Sequence, residues 1–198
     1  MRGGHLGYVN AEDEGKEIAS SWANDTSPEG MTLGLLAGYS WVFDNGLVLG
    51  VEADYEERVS TDDTGYLNEA GVINTDYDLE TDIKRVASLK GRLGYLLTPR
   101  TLVYTTVGLA SARVERQFND YDAMPQFIDA DSSDDSIWQD GWIAGFGVEY
   151  VVKGKFSVRA EYSHSDYGKN QVYVDIWDET YNHELTEDSF KVGFIYRL

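Results

Sequence analysis

The stretch GWIAGFGVEYVVKGKFSVRAEYSHSDY, residues Gly141 to Tyr167, decides the fold. It reads as two long strands joined by a turn at Lys153-Gly154. In the first strand Trp142, Ala144, Phe146, Val148, Tyr150 and Val152 share one face, while Ile143, Gly145, Gly147 and Glu149 share the other. In the second, Phe156, Val158, Ala160 and Tyr162 oppose Ser157, Arg159, Glu161 and Ser163. Strict period-two alternation of this length is a strand signal, not a helix signal. The apolar face is aromatic at both ends, and the polar face mixes small residues with opposite charges. That combination predicts a hairpin of a small transmembrane β-barrel.

The rest of the chain repeats the pattern. Gly4 to Ala11 predicts a short first strand. Gly30 to Phe43 predicts a second, with Leu33, Leu35, Ala37, Tyr39, Trp41 and Phe43 outward. Asp44-Asn45-Gly46 is a tight-turn signal, because Asn and Gly tolerate the positive φ that hairpin turns need. Leu47 to Arg58 follows, with Glu52 and Asp54 on its polar face. Ile83 to Leu97 carries Lys90 and Arg92 on its polar face, and Thr98-Pro99-Arg100 turns into Thr101 to Phe118. That fifth strand has open parity: Val103 and Leu109 share one face, Leu102 and Tyr104 the other. Leu185 to Leu198 closes the set, with Phe190, Val192, Phe194, Tyr196 and Leu198 on one face.

The expectation is all-β: an eight-stranded antiparallel up-and-down transmembrane barrel, one domain over residues 1–198. Four long acidic loops (12–29, 60–82, 119–137 and about 168–184) are expected at the extracellular end, three short turns at the periplasmic end. The acidity sits in the long connections; Glu56–Asp82 alone holds nine acids against one arginine. Pro28, Pro99 and Pro125 all fall in loops or turns, where no ladder hydrogen bond is lost.

The totals fit. Formal net charge is -19, which argues against nucleic acid as a partner. The chain has no cysteine, so no disulfide or thiolate metal site arises. No stretch approaches about 18 apolar residues, so no transmembrane helix is available. A mean hydropathy of -0.40 would suggest a soluble protein, but in a barrel only alternate residues meet lipid. Met1-Arg2-Gly3 leads directly into strand-like sequence, so a mature or recombinant form with an added start methionine is expected.

With these residues in view the chain resembles a known family. The segments GYSWVFDNGLVLGVEADY, SLKGRLGYLLTPRTLVYTTVGLA, GWIAGFGVEYVVKGKFSVRAEYSHSDYG and SFKVGFIYRL are similar to the small outer-membrane barrels of Gram-negative bacteria, above all the opacity-type, OmpA-like "porin family" group. The resemblance covers strands two to eight. It implies a cell outer membrane location and insertion by the barrel-assembly machinery. Such proteins usually end in an aromatic residue; here Leu198 takes that place. No peptidoglycan-binding domain follows the last strand, so that function of longer relatives is not expected.

Two residue sets follow. Glu52, Asp54, Glu149 and Glu161 are expected to face Lys90, Arg92, Arg159, Lys191 and Arg197 in the lumen. Charges there must be paired to avoid a cost of several kcal/mol per ion. The set reads as a plug that fixes register, or as a gate that re-pairs and passes small ions. Trp41, Phe43, Tyr95, Tyr104, Tyr150 and Phe156 near the short turns, with Tyr55, Trp142 and Tyr162 toward the long loops, are expected to form aromatic girdles.

The run Ser163-His164-Ser165-Asp166 offers the residue types of an activated hydroxyl, as in a lipid A-modifying enzyme. Its spacing does not match, and no acid is seen to orient the imidazole, so no catalytic residue is expected. The loops lack the Asp-x-Asp-x-Asp-Gly calcium spacing, so no metal site or cofactor is expected. A soluble lipid-binding barrel would put the apolar face inside; the paired charges and the loop asymmetry argue against it. The expected role is a monomer giving envelope integrity and surface interaction through its acidic loops, among outer-membrane lipids and lipopolysaccharide. A narrow porin-like channel for small solutes or ions is the alternative.

Overall fold

Alternation sends one residue in two to each face of a strand, and a closed ring of such strands separates an inside from an outside. The computed structural model describes residues 1–19, 21–59, 62–69, 72–120, 131–175 and 178–198. It contains β1 (Arg2–Glu17), β2 (Trp22–Thr26), β3 (Glu29–Val42), β4 (Leu47–Val59), β5 (Asp62–Glu69), β6 (Val72–Thr98), β7 (Thr101–Asp120), β8 (Asp131–Lys153), β9 (Phe156–Val174) and β10 (Glu179–Tyr196). Eight of them, all but β2 and β5, form an antiparallel ring in chain order. β10 closes onto β1 over sixteen consecutive pairs, from Arg2↔Tyr196 to Glu17↔Tyr181.

The three short turns lie at one end. Gly46 and Gly154 take φ of 85° and 57° there, the left-handed region that favours glycine. Thr98 Oγ1 caps the third turn, accepting from the Arg100 and Thr101 amides at 3.2 and 3.0 Å.

The other end differs from expectation. The segments read as long loops are largely strand. β3 leaves β1 at Asn10↔Glu29, and β4 leaves β6 at Glu57↔Arg85. Beyond those points β2 pairs with β1, β5 pairs with β6, and β2 pairs with β5. β2 and β5 thus take over the wall that β3 and β4 vacate. The alternation continues, broken by register shifts at Tyr66/Leu67, Ile83/Arg85 and Glu184/Thr186: Asp13, Asn24, Leu79, Thr81, Ile83, Ala112, Val114, Arg116 and Phe118 are buried, while most of their neighbours are polar and face out. Outside the apolar band those neighbours meet water, so they carry loop-like composition on strand geometry. Pro125 and Asp129 lie outside the described residues, as do the side chains of 131–135.

This extension has its own core. Leu67, Leu79, Phe118, Val172, Val174 and Tyr181 pack together, with Trp22 and Tyr77 against them. Below lies a second apolar layer, which includes Ala11, Ile83, Val86, Val114, Ile143, Tyr167 and Leu185. Between β8 and β9 the ladder stops at Trp142↔Asp166. There Gln139 holds the seam, donating from Nε2 to the Gly168 carbonyl at 3.1 Å.

Because Phe118 is fully buried in the outer core, Phe118→Ala is expected to cost that layer about 3–5 kcal/mol. Amide hydrogen exchange should accelerate in 62–69 and 172–174 while the strands of the apolar band keep their protection. Uniform exchange changes along the whole barrel would contradict a separate outer core.

Candidate functional site

The outward face of the ring places the girdle residues. Trp41, Phe43, Tyr95, Tyr150 and Phe156 are exposed at the short-turn end, and Tyr55, Trp142 and Tyr162 toward the other. The far edge of the apolar band is marked by hydrogen bonds. Tyr8, Tyr55 and Tyr162 donate their hydroxyls to Glu29, Glu57 and Asp188 at 2.5, 3.0 and 2.6 Å. Tyr8 was missed, because its strand is short in the sequence pattern.

Tyr104 corrects the girdle. It points inward and is only 4% exposed. β7 resolves with Leu102, Tyr104 and Thr106 inward and Val103, Val107 and Leu109 outward. Gly147 makes the room: a methyl there would sit 2.5 Å from the Tyr104 ring. The Arg92 guanidinium lies 3.6 Å from the centre of that ring, a cation–π contact, and the Tyr104 hydroxyl donates to Glu161 at 2.9 Å.

Inside, the nine charges of the sequence reading come together, Arg197 half-exposed at the short-turn mouth and the others buried. Some of the bonds cross the lumen and others join neighbouring strands of the wall. Arg159 on β9 grips both oxygens of Glu52 on β4, at 2.9 and 2.7 Å. Lys90 on β6 donates to Glu161 on β9 at 2.9 Å and sits 2.8 Å from Asp54. Glu149 on β8 accepts from Arg92 at 2.8 Å, Ser157 at 2.7 Å and Arg197 at 2.7 Å.

A second tier was hidden because its residues lie at the ends of strands that merge into acidic segments. Arg58 donates to Glu56 at 2.5 Å and to Glu187 at 2.6 Å, and Glu56 also pairs with Lys191. His5 lies between Asp54 and Glu56, its nitrogens 3.7 and 3.6 Å from their oxygens. Six acids (Glu52, Asp54, Glu56, Glu149, Glu161 and Glu187) therefore face six bases (Arg58, Lys90, Arg92, Arg159, Lys191 and Arg197). Such balance is what burial demands, since an unpaired ion in this interior would cost several kcal/mol.

Between the two apolar layers sits a third polar group. Asp13 accepts from Arg116 at 2.7 and 3.0 Å and from Thr81 at 3.2 Å, and His183 Nδ1 lies 3.2 Å away. Burial pushes the Asp13 carboxyl up, but the His183 hydrogen bond and the Arg116 charge outweigh it and hold it below the usual carboxylate range.

The His164 reading changes in one respect. An acid does orient the ring, with Asp188 Oδ1 3.0 Å from Nδ1. Ser163 and Ser165, however, are buried on the opposite, inner face, and Ser163 is bonded to Ser189 at 2.7 Å. Neither neighbouring hydroxyl shares the imidazole's face.

A family model described as outer membrane protein beta-barrel domain matches residues 2–197. The chain is 30% identical over 191 residues to a 31 kDa outer-membrane immunogenic protein of Brucella melitensis biotype 1, covering 94% of this chain and 73% of that protein. It is 29% identical over 159 residues to a 22 kDa outer membrane protein of Rhizobium leguminosarum bv. viciae, covering 80% and 62%. Among solved structures, the outer membrane protein OprG of Pseudomonas aeruginosa aligns over 99% of this chain and 97% of that one, with a TM-score of 0.52 and 9% identity.

Two outcomes are expected. Arg159→Ala or Glu161→Ala strands a buried partner and should destabilise the folded protein by about 3–5 kcal/mol, read as a lowered melting temperature in detergent. Unchanged heat stability of both variants would contradict the cross-lumen pairing. Because the folded Asp13 carboxyl is depressed, its contribution is complete above the ordinary Asp value of about 3.9 and is lost as pH falls below it. Asp13→Asn should flatten the acid limb of stability measured between pH 6 and pH 2; an identical limb in the variant would contradict that role.

Proposed function

The chain belongs to the outer membrane protein beta-barrel family and resides in the cell outer membrane, and from that premise we propose that it is a non-enzymatic envelope protein whose plugged barrel anchors an acidic outer surface. The observation that carries this reading is the direction of the lumen ion pairs. Arg159–Glu52, Lys90–Glu161 and Arg58–Glu187 each join strands on different parts of the wall. Twelve charges committed to one another leave the lumen filled, and the apolar layers above add two more closures. Interlocked buried pairs also specify register, the best-attested use of buried polar groups.

The outer extension is the part a partner meets. Its outward residues are mostly acids and amides, and its own core holds it as a rigid platform. The Brucella relative is named as immunogenic, which suits a barrel whose outer strands are displayed at the surface. We extend that display to this chain as surface interaction. Lipopolysaccharide surrounds the band, the barrel-assembly machinery inserts it, and the protein acts as a monomer.

Conductance in planar bilayers tests the plug. The refolded protein is expected to give no stable conductance steps. Regular steps in the unmodified protein would favour the narrow channel, with Arg159→Ala and Glu161→Ala then expected to widen it.

A further inference from the structure

Among the described residues, the bases divide sharply. Those of the lumen and the outer extension each lie within 4 Å of a carboxylate. Four have no carboxylate partner there: Arg2, Arg100, Lys153 and Lys155. All four are exposed, and all lie at the short-turn end. The three turns oppose them with one acid, Asp44. A chain of net charge -19 thus keeps its uncompensated cations at its periplasmic rim.

Two of these cations share one aromatic ring. Arg2 lies 5.7 Å and Lys155 5.9 Å from the centre of Tyr196, and Phe156 packs on the same ring at 5.2 Å. Beside them the lipid-facing wall is hollow. Outward rows on β3, β1 and β10 run Leu35–Gly4–Phe194, then Ala37–Arg2–Tyr196. A furrow of about 410 Å³ opens between Leu35, Phe156 and Phe194, with Arg2 and Tyr196 at its rim. A second hollow of about 560 Å³ shares Leu35 and Phe194 and continues over Gly4 toward Leu6 and Leu33.

We propose that this furrow, capped by Arg2 and Lys155 about Tyr196, is a binding site for an anionic phospholipid of the periplasmic leaflet. The phosphate diester sits between the two cations, and an acyl chain lies along the furrow over Gly4. Charge complementarity selects the occupant. The cations share the short-turn end with the exposed Trp41, Tyr95 and Tyr150, rings of the kind that favour the membrane interface, and an anionic surface attracts basic groups near it. A zwitterionic lipid offers the same chain but no net charge for two unpaired cations to neutralise.

Native mass spectrometry of the refolded full chain, released from a zwitterionic detergent, tests this with dioleoyl phosphatidylglycerol against dioleoyl phosphatidylcholine. The wild type should retain phosphatidylglycerol preferentially. Arg2→Gln with Lys155→Gln should cut retention about tenfold, taking roughly a factor of several for each cation near a charged surface. Arg100→Gln with Lys153→Gln should leave most of it. Gly4→Phe should fill the adjoining hollow along which the acyl chain continues and lower retention with both cations intact; a methyl at Gly4 meets only the Gly34 carbonyl at 3.4 Å and Leu35 at 3.6 Å, so the wall accepts a side chain. All five positions face outward at or near the rim, and circular dichroism checks the fold of each variant. Soluble glycerol 3-phosphate should not displace the lipid. Equal retention of the two lipids, an unchanged Arg2/Lys155 variant, or equal loss in the Arg100/Lys153 variant would overturn the site. Displacement by glycerol phosphate would do so as well, since it would make the rim a free-anion site.

Discussion

Everything in this structure depends on closing a sheet in a solvent that cannot hydrogen-bond. Inside a bilayer each unpaired backbone amide or carbonyl costs several kcal/mol, so strands can cross only as a closed ring. Here the last strand meets the first over sixteen pairs. That closure removes the edges and sets the division the side chains obey. Of two successive residues along a strand, one meets lipid and the other meets the lumen. The outward positions accordingly carry Leu, Val, Phe and Tyr, and the inward positions carry charge, hydroxyl and glycine.

An eight-stranded ring leaves an interior that side chains must fill. Filling it with charge is costly unless every ion finds a partner. The chain meets that constraint with six acids against six bases, then changes solution with height: an apolar layer, the Asp13–Arg116–His183 group, and a second apolar core. Above the band the ring exchanges β3 and β4 for β2 and β5 and continues as a water-facing barrel. The outer strands thus carry the acidic residues on a hydrogen-bonded wall with its own core.

The membrane half was legible in the sequence because lipid imposes a strong contrast. In 141–167 the outward row from Trp142 to Val152 and from Phe156 to Tyr162 is wholly apolar or aromatic, and the lumen charges Glu149, Arg159 and Glu161 could be read from parity alone. The outer half was not legible as strand. There the outward residues face water, so Glu12, Glu14, Glu80 and Asp82 look like loop, though Asp13, Leu79 and Thr81 between them are buried. The signal that survives is the inward row alone, such as Ala112, Val114, Arg116 and Phe118. Arg58 and Glu187 were hidden by the same effect. Tyr104 misled for another reason: a large aromatic reads as lipid-facing unless the glycine that makes room for it, Gly147 on the next strand, is considered with it.

Gel mobility of the protein refolded in detergent, heated against unheated, tests the closed membrane ring most directly. The unheated sample is expected to run as a compact, faster band with β-rich circular dichroism and to shift on boiling. A protein that reaches the same β-rich state in plain buffer without detergent, with no shift on heating, would contradict an apolar outer face and return the soluble lipid-binding barrel to first place.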